Sequence, residues 1–344
     1  MVQQNHVQMD LQIRYNKFDI RKAAALAAET GIMNNTAKPT VKPDEVKRLK
    51  GLGCLQNKGT DNFNVRVITR NGNISAEEVH TIASAAEQFG SGRITMTTRL
   101  SMEIIGVPYE NIDALREYLG KAGLETGGTG PKVRPVVSCK GTTCQYGLLD
   151  TYALSDKIHE RFYHGYGNVK LPHKFKIAVG GCPNNCVKPN LNDLGVIGQR
   201  VPAPNTDLCR GCKVCQIEKA CPMHASAVVN GKIHIDTDIC THCGRCFTKC
   251  PFHVFDENHQ GYRVYVGGRW GKKFAHGRAL SPIFIDEEDV LNTVEKTILF
   301  FKEQGVAGER LADTIERVGF EKTEKMILSN DILGRKEEIL SKES

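Results

Sequence analysis

The hydrophobic and polar positions of the first patterned stretch of the chain change their period several times. Runs rich in β-branched residues with alternating character predict strands, and apolar residues at helical spacing predict helices. The order β-α-β-β-α indicates an α+β fold in which ferredoxin-like layers of helices pack on a sheet. The predicted strands are residues 63–69, 93–98 and 101–107. The predicted helices are residues 79–89 and a later segment with Ile112, Leu115 and Leu119.

Alternation in residues 174–179 predicts a strand whose two faces differ in character. Phe175, Ile177 and Val179 point to one side, and Lys174 and Lys176 point to the other, roughly 7 Å apart. Two ammonium groups at that distance repel each other, so the pattern favours an anion between them, although a solvent-exposed face would also tolerate it. A second face, in the strand 93–99, carries Arg93, Thr95, Thr97 and Arg99. It fits either a solvated surface or a site for bound carboxylates.

The rest of the chain has weaker patterns. Residues 20–30 indicate a helix, and residues 36–44, with two prolines, indicate an extended connector. The short charged helices that we expect over residues 307–344 are more typical of packing and surface than of an active site. The other predicted elements are a helix over 148–162, a strand over 262–266 and a helix over 286–304.

Two spaced cysteine pairs indicate the first chemical site. Cys139 and Cys144 form one pair, and Cys182 and Cys186 form the other. Four thiolates delivered in this way can hold a [4Fe–4S] cluster. Small residues beside each pair allow the backbone to close around such a cluster and to direct N–H groups at its sulfur atoms.

Eight further cysteines indicate a two-cluster ferredoxin module, in which the fourth cysteine of each run ligates the other cluster. The first run has five residues before its last cysteine where three are usual. Paired CxxC spacing also occurs in zinc sites, but doubled CxxCxxC with a trailing Cys-Pro is more specific for clusters. The expected ligand sets are Cys209, Cys212, Cys215 and Cys250 for one cluster and Cys240, Cys243, Cys246 and Cys221 for the other.

Composition changes the picture in two ways. The chain has thirteen cysteines, and its first ten residues contain no apolar leader segment. This combination favours metal binding over disulfides and predicts a reducing or anaerobic cytoplasm. We expect the remaining cysteine, Cys54, to be a small buried hydrophobe. The net charge of +7 fits solubility or attraction of a polycarboxylate cofactor, while its scattered basic residues argue against nucleic acid. No apolar run approaches the roughly 18 residues of a membrane span.

These motifs resemble the sirohaem-dependent sulfite and nitrite reductase family. The resemblance rests on Cys139-x4-Cys144, on Cys182-Pro-Asn-Asn-Cys186, on Leu171 to Lys176 just upstream and on Tyr262 to Arg269 downstream. With its ferredoxin module, the chain most resembles the C subunit of anaerobic sulfite reductase and the small ferredoxin-fused sulfite reductases. One difference is that many members have five residues, not four, between the first two cysteines.

The resemblance implies a sirohaem whose iron shares the Cys186 sulfur with the first [4Fe–4S] cluster, giving three clusters in all. Four basic residues would surround the bound anion, namely Arg66, Arg134, Lys174 and Lys176. The residues that would contact sirohaem and its carboxylates, besides Cys186, are Arg93, Thr97, Arg99, Asn184 and Arg269.

The resemblance implies a six-electron reduction of sulfite to sulfide, with electrons relayed through the ferredoxin domain from a ferredoxin or from flavin and iron–sulfur subunits. Reduction of nitrite to ammonia and a non-catalytic electron-transfer role remain as alternatives. Since family members with two fused halves place the site between them, this single half predicts a homodimer or a higher homo-oligomer.

The resemblance also suggests a domain division. We expect an N-terminal extension over residues 1–60 and a ferredoxin-like half domain of the sulfite reductase type over 61–120. The sirohaem and [4Fe–4S] domain would comprise residues 121–202 and 261–344, interrupted by the inserted ferredoxin domain at 203–260.

Overall fold

The computed structural model describes residues 39–255 and 260–342. The predicted helix over 20–30 lies outside these residues. The chain forms two compact units. The first runs to Val67 and adds Ala76–Thr95 and Glu103–Thr126, and the second contains the rest.

No helix within the described ranges is both long enough and apolar enough to cross a membrane.

A four-stranded sheet with the strand order β1-β2-β4-β3 forms the framework of the first unit. Helices α2 and α3 turn their apolar faces inwards, and Cys54 is fully buried on β1, as expected for a small hydrophobe. Burial raises the pKa of its thiol to about 11. The elements, with β3 and β4 extending slightly beyond this unit, are α1 (Pro43–Gly51), β1 (Cys54–Gln56), β2 (Asn62–Val67), α2 (Ala76–Phe89), β3 (Ile94–Met96), β4 (Met102–Pro108) and α3 (Ile112–Lys121).

Two expectations for this part of the chain are wrong in their bounds. The connector gives way to α1 at Pro43, because a proline suits the first position of a helix, where no N–H partner is needed. The strand that was expected to carry Thr97 and Arg99 ends at Met96. There the Thr97 N–H bonds to the Ser101 carbonyl (2.8 Å), and the chain reverses through Leu100 at φ 61°.

The second unit is built on a five-stranded sheet with the order β11-β10-β7-β6-β5. Strands β5, β6 and β7 are parallel, and β10 pairs antiparallel with both β7 and β11. Its core combines these strands with the long helix α6, which begins after an Asp286 cap. The elements are β5 (Val137–Ser138), α4 (Thr151–Ile158), β6 (Ile177–Gly180), β7 (Leu194–Arg200), β10 (Gln260–Val266), β11 (Arg278–Phe284) and α6 (Glu287–Gln304).

The cysteine-rich insert, defined here as residues 203–255, lies between β7 and β10, which are neighbours in the sheet. It consists of the short helix α5 (Gln216–Ala220) and the hairpin of β8 (Ser226–Val229) and β9 (Lys232–Ile235). The turn residues Asn230 and Gly231 both have positive φ, as a two-residue hairpin turn requires. The buried apolar core of this segment is small and comprises Ile217, Ile233, Phe247, Val254 and Phe255.

Short helices follow α6, as predicted for the end of the chain. Another prediction differs in its bounds. The helix expected over 148–162 starts only after Asp150, whose carboxylate caps α4, and it continues as a π-helix over His159–His164. The last four helices are α7 (Leu311–Val318), α8 (Phe320–Leu328), α9 (Asp331–Gly334) and α10 (Lys336–Ser341).

Candidate functional site

The first four cysteines lie in two loops that leave one edge of the parallel sheet. Cys139 follows β5 and Cys182 follows β6, and parallel neighbours end at the same edge. Burial raises the pKa of Cys182, and the thiols of Cys139, Cys186 and Cys144 raise it further. The four sulfur atoms are therefore close enough to interact, as the two pairs predict.

The backbone around these thiols fits an iron–sulfur cluster. The Gly181 N–H donates to Cys139 Sγ at 3.2 Å. A Cβ atom on Gly181 would lie 2.8 Å from the Gly141 Cα and 3.5 Å from Cys139 Sγ, so a larger residue would push the loops apart. Cys186 and Asn184 are exposed. Because Cys186 is exposed, its side chain has a side that is not covered by protein. Binding of a second metal ion by the same sulfur would require such a free side.

Lys174 and Lys176 lie just before β6, on the face opposite the fully buried Phe175, as the alternation predicts. The regular strand starts only at Ile177, because the Lys174 N–H bonds to the His173 ring (2.7 Å). The Lys176 N–H bonds instead to the Asp193 carboxylate (2.9 Å). The N–H groups of both lysines thus bond to side chains, while the alternation of the two faces is preserved.

Burial and neighbouring positive charges make both lysines easier to deprotonate. Burial lowers the pKa of Lys174, and the charges of Arg310 and Arg134 act in the same direction. Burial lowers the pKa of Lys176 to about 8, assisted by Arg99 and Arg310. The Lys174 ammonium adds to this effect. A group of cations held this close together favours an anion.

Two arginines of this group are oriented by carbonyl oxygens. The Arg99 guanidinium donates to Pro135 O (2.7 Å), to Ile177 O (3.3 Å) and to the side chain of Asn192 (2.9 Å). Arg134 donates to the carbonyls of two glycines in the loop before β5, through Nε to Gly130 at 3.1 Å and through Nη1 to Gly128. Carbonyl oxygens are neutral, so these bonds fix the side chains without cancelling their charge.

The structure places the remaining predicted residues as follows. Arg66 and Arg93 lie in the first unit, where Arg93 is exposed and Arg66 forms an ion pair with Glu103 (2.6 Å). Thr97 shares a hydrogen bond with the Ser101 hydroxyl (2.7 Å). Their roles, like those of the other predicted residues, stay predictions.

Arg269 has a carboxylate partner within the chain. Its guanidinium lies 2.6 Å from an Asp313 carboxylate oxygen, and its side chain is only 13% exposed. The loop that carries it is closed by backbone hydrogen bonds between Arg269 and Ala275. A role towards cofactor carboxylates would require this ion pair to open or to share its charge.

Sequence reasoning missed two charged residues beside the lysines, Asp193 and Arg310. Asp193 directly precedes β7 and is fully buried, and Arg310 comes from the C-terminal region that was assigned to packing and surface. They form an ion pair at 2.7 Å across 117 positions of sequence. Since neither residue belongs to a motif, only the fold brings them together.

Four thiols of the cysteine-rich insert lie close to one another. Burial raises the pKa of Cys246 to about 12, and the thiols of Cys240, Cys243 and Cys221 contribute. These four cysteines line one small cavity. Cys221 thus joins the expected set despite its unusual spacing.

Three members of the other expected set lie around the core of the insert, whereas the fourth, Cys212, is exposed. Cys209, Cys215 and Cys250 pack on that core, and the Ile233 N–H donates to Cys209 Sγ (3.3 Å). N–H groups aimed at sulfur are what a cluster-bound thiolate requires.

Two known domain families match this chain. Residues 129–332 match the nitrite and sulphite reductase 4Fe-4S domain, and residues 55–122 match the nitrite/sulfite reductase ferredoxin-like half domain. The second match agrees with the predicted ferredoxin-like layer.

Individual proteins are similar over comparable lengths. Coenzyme F420-dependent sulfite reductase from Methanocaldococcus jannaschii is 31% identical over 249 residues, which cover 72% of this chain but only 39% of that protein. The C subunit of anaerobic sulfite reductase from Salmonella typhimurium is 29% identical over 268 residues, covering 71% of this chain and 76% of that one. The crystal structure of dissimilatory sulfite reductase I superimposes with a TM-score of 0.63 at 23% identity over 77% of this chain and 69% of that one, which shows a shared fold.

Proposed function

Because the chain belongs to the nitrite and sulphite reductase family, we propose that it is a sirohaem-dependent sulfite reductase that reduces sulfite to sulfide. Membership of the family confirms the resemblance inferred from the sequence, and the relatives named above support an oxidoreductase. The observation that carries the choice of an oxyanion substrate is the cationic group around Lys174 and Lys176.

The residues present fit the cofactors of such an enzyme. Cys139, Cys144, Cys182 and Cys186 would hold one [4Fe–4S] cluster, and the two sets in the cysteine-rich insert would hold two more, as in a two-cluster ferredoxin. When bound, sirohaem and its cluster supply electrons to the substrate, and the chain supplies position and charge.

The basic residues would bind and orient the anion. Arg134 and Lys176 both lie within electrostatic reach of Lys174, and these three positive charges would hold the oxygens of sulfite. Arg99 strengthens the field around Lys176 and is itself fixed by backbone carbonyls. Nitrite carries fewer oxygens and a smaller charge, so this arrangement favours sulfite.

The same lysines would supply protons. Sulfite takes up six electrons and seven protons to give hydrogensulfide and three waters, so each departing oxygen needs acids nearby. With a pKa of about 8, Lys176 is mostly protonated at neutral pH and yet gives up the proton at Nζ readily. A lysine with an ordinary pKa would be a weaker acid.

The test is the double substitution Lys174→Ala/Lys176→Ala in anaerobically purified enzyme. We expect kcat/KM for sulfite to fall by at least about 100-fold, because two charge-stabilising groups are removed, with the cofactor spectrum unchanged. The control Lys322→Ala/Lys325→Ala changes the net charge equally at two exposed positions of α8. Retained activity in the first variant would show that the anion site is wrongly placed.

Two further measurements separate the alternatives. The ratio of kcat/KM for sulfite to that for nitrite assigns the substrate. Absence of an extractable tetrapyrrole from protein with its full iron content, about twelve cluster irons, would leave only an electron carrier. An electron-donor protein, either a ferredoxin or flavin and iron–sulfur subunits, completes the proposed system.

We also infer a homodimer or a higher homo-oligomer, because the matched residues contain one ferredoxin-like half domain and one 4Fe-4S domain. Light scattering at micromolar concentration is expected to give at least twice the mass of one chain. A fully active monomer would contradict this inference.

A further inference from the structure

Lys176 is held at both of its backbone polar groups by the start of β7. Its N–H donates to Asp193 Oδ2 at 2.9 Å, and its carbonyl accepts from the Leu194 N–H at 3.0 Å. Asp193 is fully buried, so its carboxylate cannot be hydrated and depends on its partners. Asp193 therefore fixes the backbone of Lys176, from which the lysine side chain extends.

Asp193 is in turn held by Arg310. The guanidinium donates through Nη2 to both carboxylate oxygens (2.9 and 2.7 Å) and through Nε to Oδ1 (3.2 Å). The side chain of Arg310 is 12% exposed, so the pair is shielded from solvent. Such a forked contact fixes orientation as well as distance.

The chain around Arg310 is anchored to the lysine segment at a second point. The Gly308 N–H donates to the Pro172 carbonyl at 3.0 Å, and the Arg310 N–H donates to Asp313 Oδ2 at 3.2 Å. The segment before α7 thus contacts the lysine-bearing segment at one end and supports it through Asp193 at the other.

Arg310 also acts on the lysines through its charge. After burial, the positive charge of Arg310 is among the causes that lower the pKa of His173, Lys174 and Lys176. Asp193 acts in the opposite direction on all three. Burial raises the pKa of Asp193 itself, and Arg310 counteracts this.

We propose that Asp193 and Arg310 are positioning residues of the sulfite site: Asp193 fixes the Lys176 backbone, and Arg310 orients Asp193 while adding positive charge beside both lysines. This inference rests on the proposed function. A buried ion pair is weak support for stability, because desolvation offsets most of its attraction. Its contact with the backbone of Lys176 gives it a role in the site instead.

The test measures Lys176 directly. Holoenzyme is treated briefly with acetic anhydride across a pH series, and modification of Lys176 is measured by mass spectrometry. Arg310→Gln removes a nearby positive charge, so the lysine holds its proton more tightly, and we expect modification at pH 7 to slow about five- to tenfold. Asp193→Asn removes a negative charge, so modification should become faster.

Opposite signs distinguish positioning from a structural role. Loosening of the fold would expose Lys176 in both variants and would shift both pH profiles in the same direction, which would overturn the proposal, as would two unchanged profiles. The control Arg317→Gln, which loses an ion pair between α7 and Glu309, should leave the profile unchanged.

A double variant covers the case in which a single variant does not fold. Asp193→Asn/Arg310→Gln leaves no unpaired buried charge and retains a hydrogen-bonding pair. We expect a Lys176 profile close to that of the native enzyme, with kcat lowered more than KM is raised. A native kcat in this variant would overturn the positioning role.

Sulfite itself separates this inference from the proposed function. Protection of Lys176 from modification by added sulfite in the native enzyme supports the anion site. A changed pH profile of Lys176 in Arg310→Gln, without protection by sulfite, would support the inference about Asp193 and Arg310. It would also refute sulfite as the substrate.

Discussion

The sheet of the second unit and the cysteine-rich insert hold their candidate ligands in different ways. In the sheet, a continuous apolar core that includes Phe175, Ile177 and Val179 fixes the lysines and the first cysteine loops. In the insert, five buried apolar residues form the whole core, and four of the cysteines pack directly against it. The comparison indicates that apolar packing shapes one site, whereas the other would depend on the proposed clusters for its stability.

The largest expected effect is the response to iron removal. Anaerobic chelation should unfold residues 203–255, because a core of five residues cannot offset the conformational entropy of the segment without its clusters. Strands β6 and β7 should remain folded. Hydrogen exchange measured by mass spectrometry before and after chelation reports both regions. If β6 lost as much protection from exchange as residues 203–255, the proposed difference between the two regions would be refuted.

The next effect is the cost of cavities in the two cores. Phe175→Ala removes a fully buried ring from the large core and should lower the free energy of unfolding by about 3–5 kcal/mol. Phe247→Ala in the insert should leave the main urea transition in place and instead reduce the iron content. Urea unfolding followed by circular dichroism, with iron analysis of each variant, checks both results. Loss of the main transition in Phe247→Ala would show that the two regions unfold as one.

A smaller effect concerns pH in the sheet site alone. The pKa of Lys176 is about 8, below the usual 10.5, so between these values the unfolded chain binds a proton that the folded chain has released. Stability should therefore rise with pH across this window, while sulfite reduction should fall above about pH 8 as the ammonium is lost. Lys176→Met should abolish that stability slope. Measuring the free energy of unfolding in urea and kcat/KM over the same pH range tests whether the first rises while the second falls.

The sequence predicted the local features of both regions. Alternation identified the face that carries Lys174 and Lys176, because burial of Phe175 decides the register even where the strand ladder is broken. Spacing predicted that Cys221, Cys240, Cys243 and Cys246 would lie together, and the four thiols do lie close to one another. Both signals arise from residues that are close together in the sequence.

Long-range pairing could not be predicted in the same way. Asp193 and Arg310 meet only because the segment before α7 returns to the start of β7, and a single aspartate and a single arginine carry no spacing signal. The shortened strand β3 was missed because the turn after Met96 depends on a positive φ at Leu100, which β-propensity does not anticipate. Tertiary contacts override local propensity at both places.

The smallest expected effect concerns the point where the two regions meet. Arg200, the last residue of β7, places its guanidinium 4.2 Å from the Phe247 ring centroid, and its N–H donates to the His242 carbonyl at 2.9 Å. Arg200→Met keeps the length and the backbone contact but loses the cation–π attraction, about 0.5–2 kcal/mol. If the sheet supports the insert through this contact, hydrogen exchange should increase around Phe247 and stay constant in β6. Increased exchange in β6 instead would mean that the insert supports the sheet, which reverses the direction of dependence inferred from the sizes of the two cores.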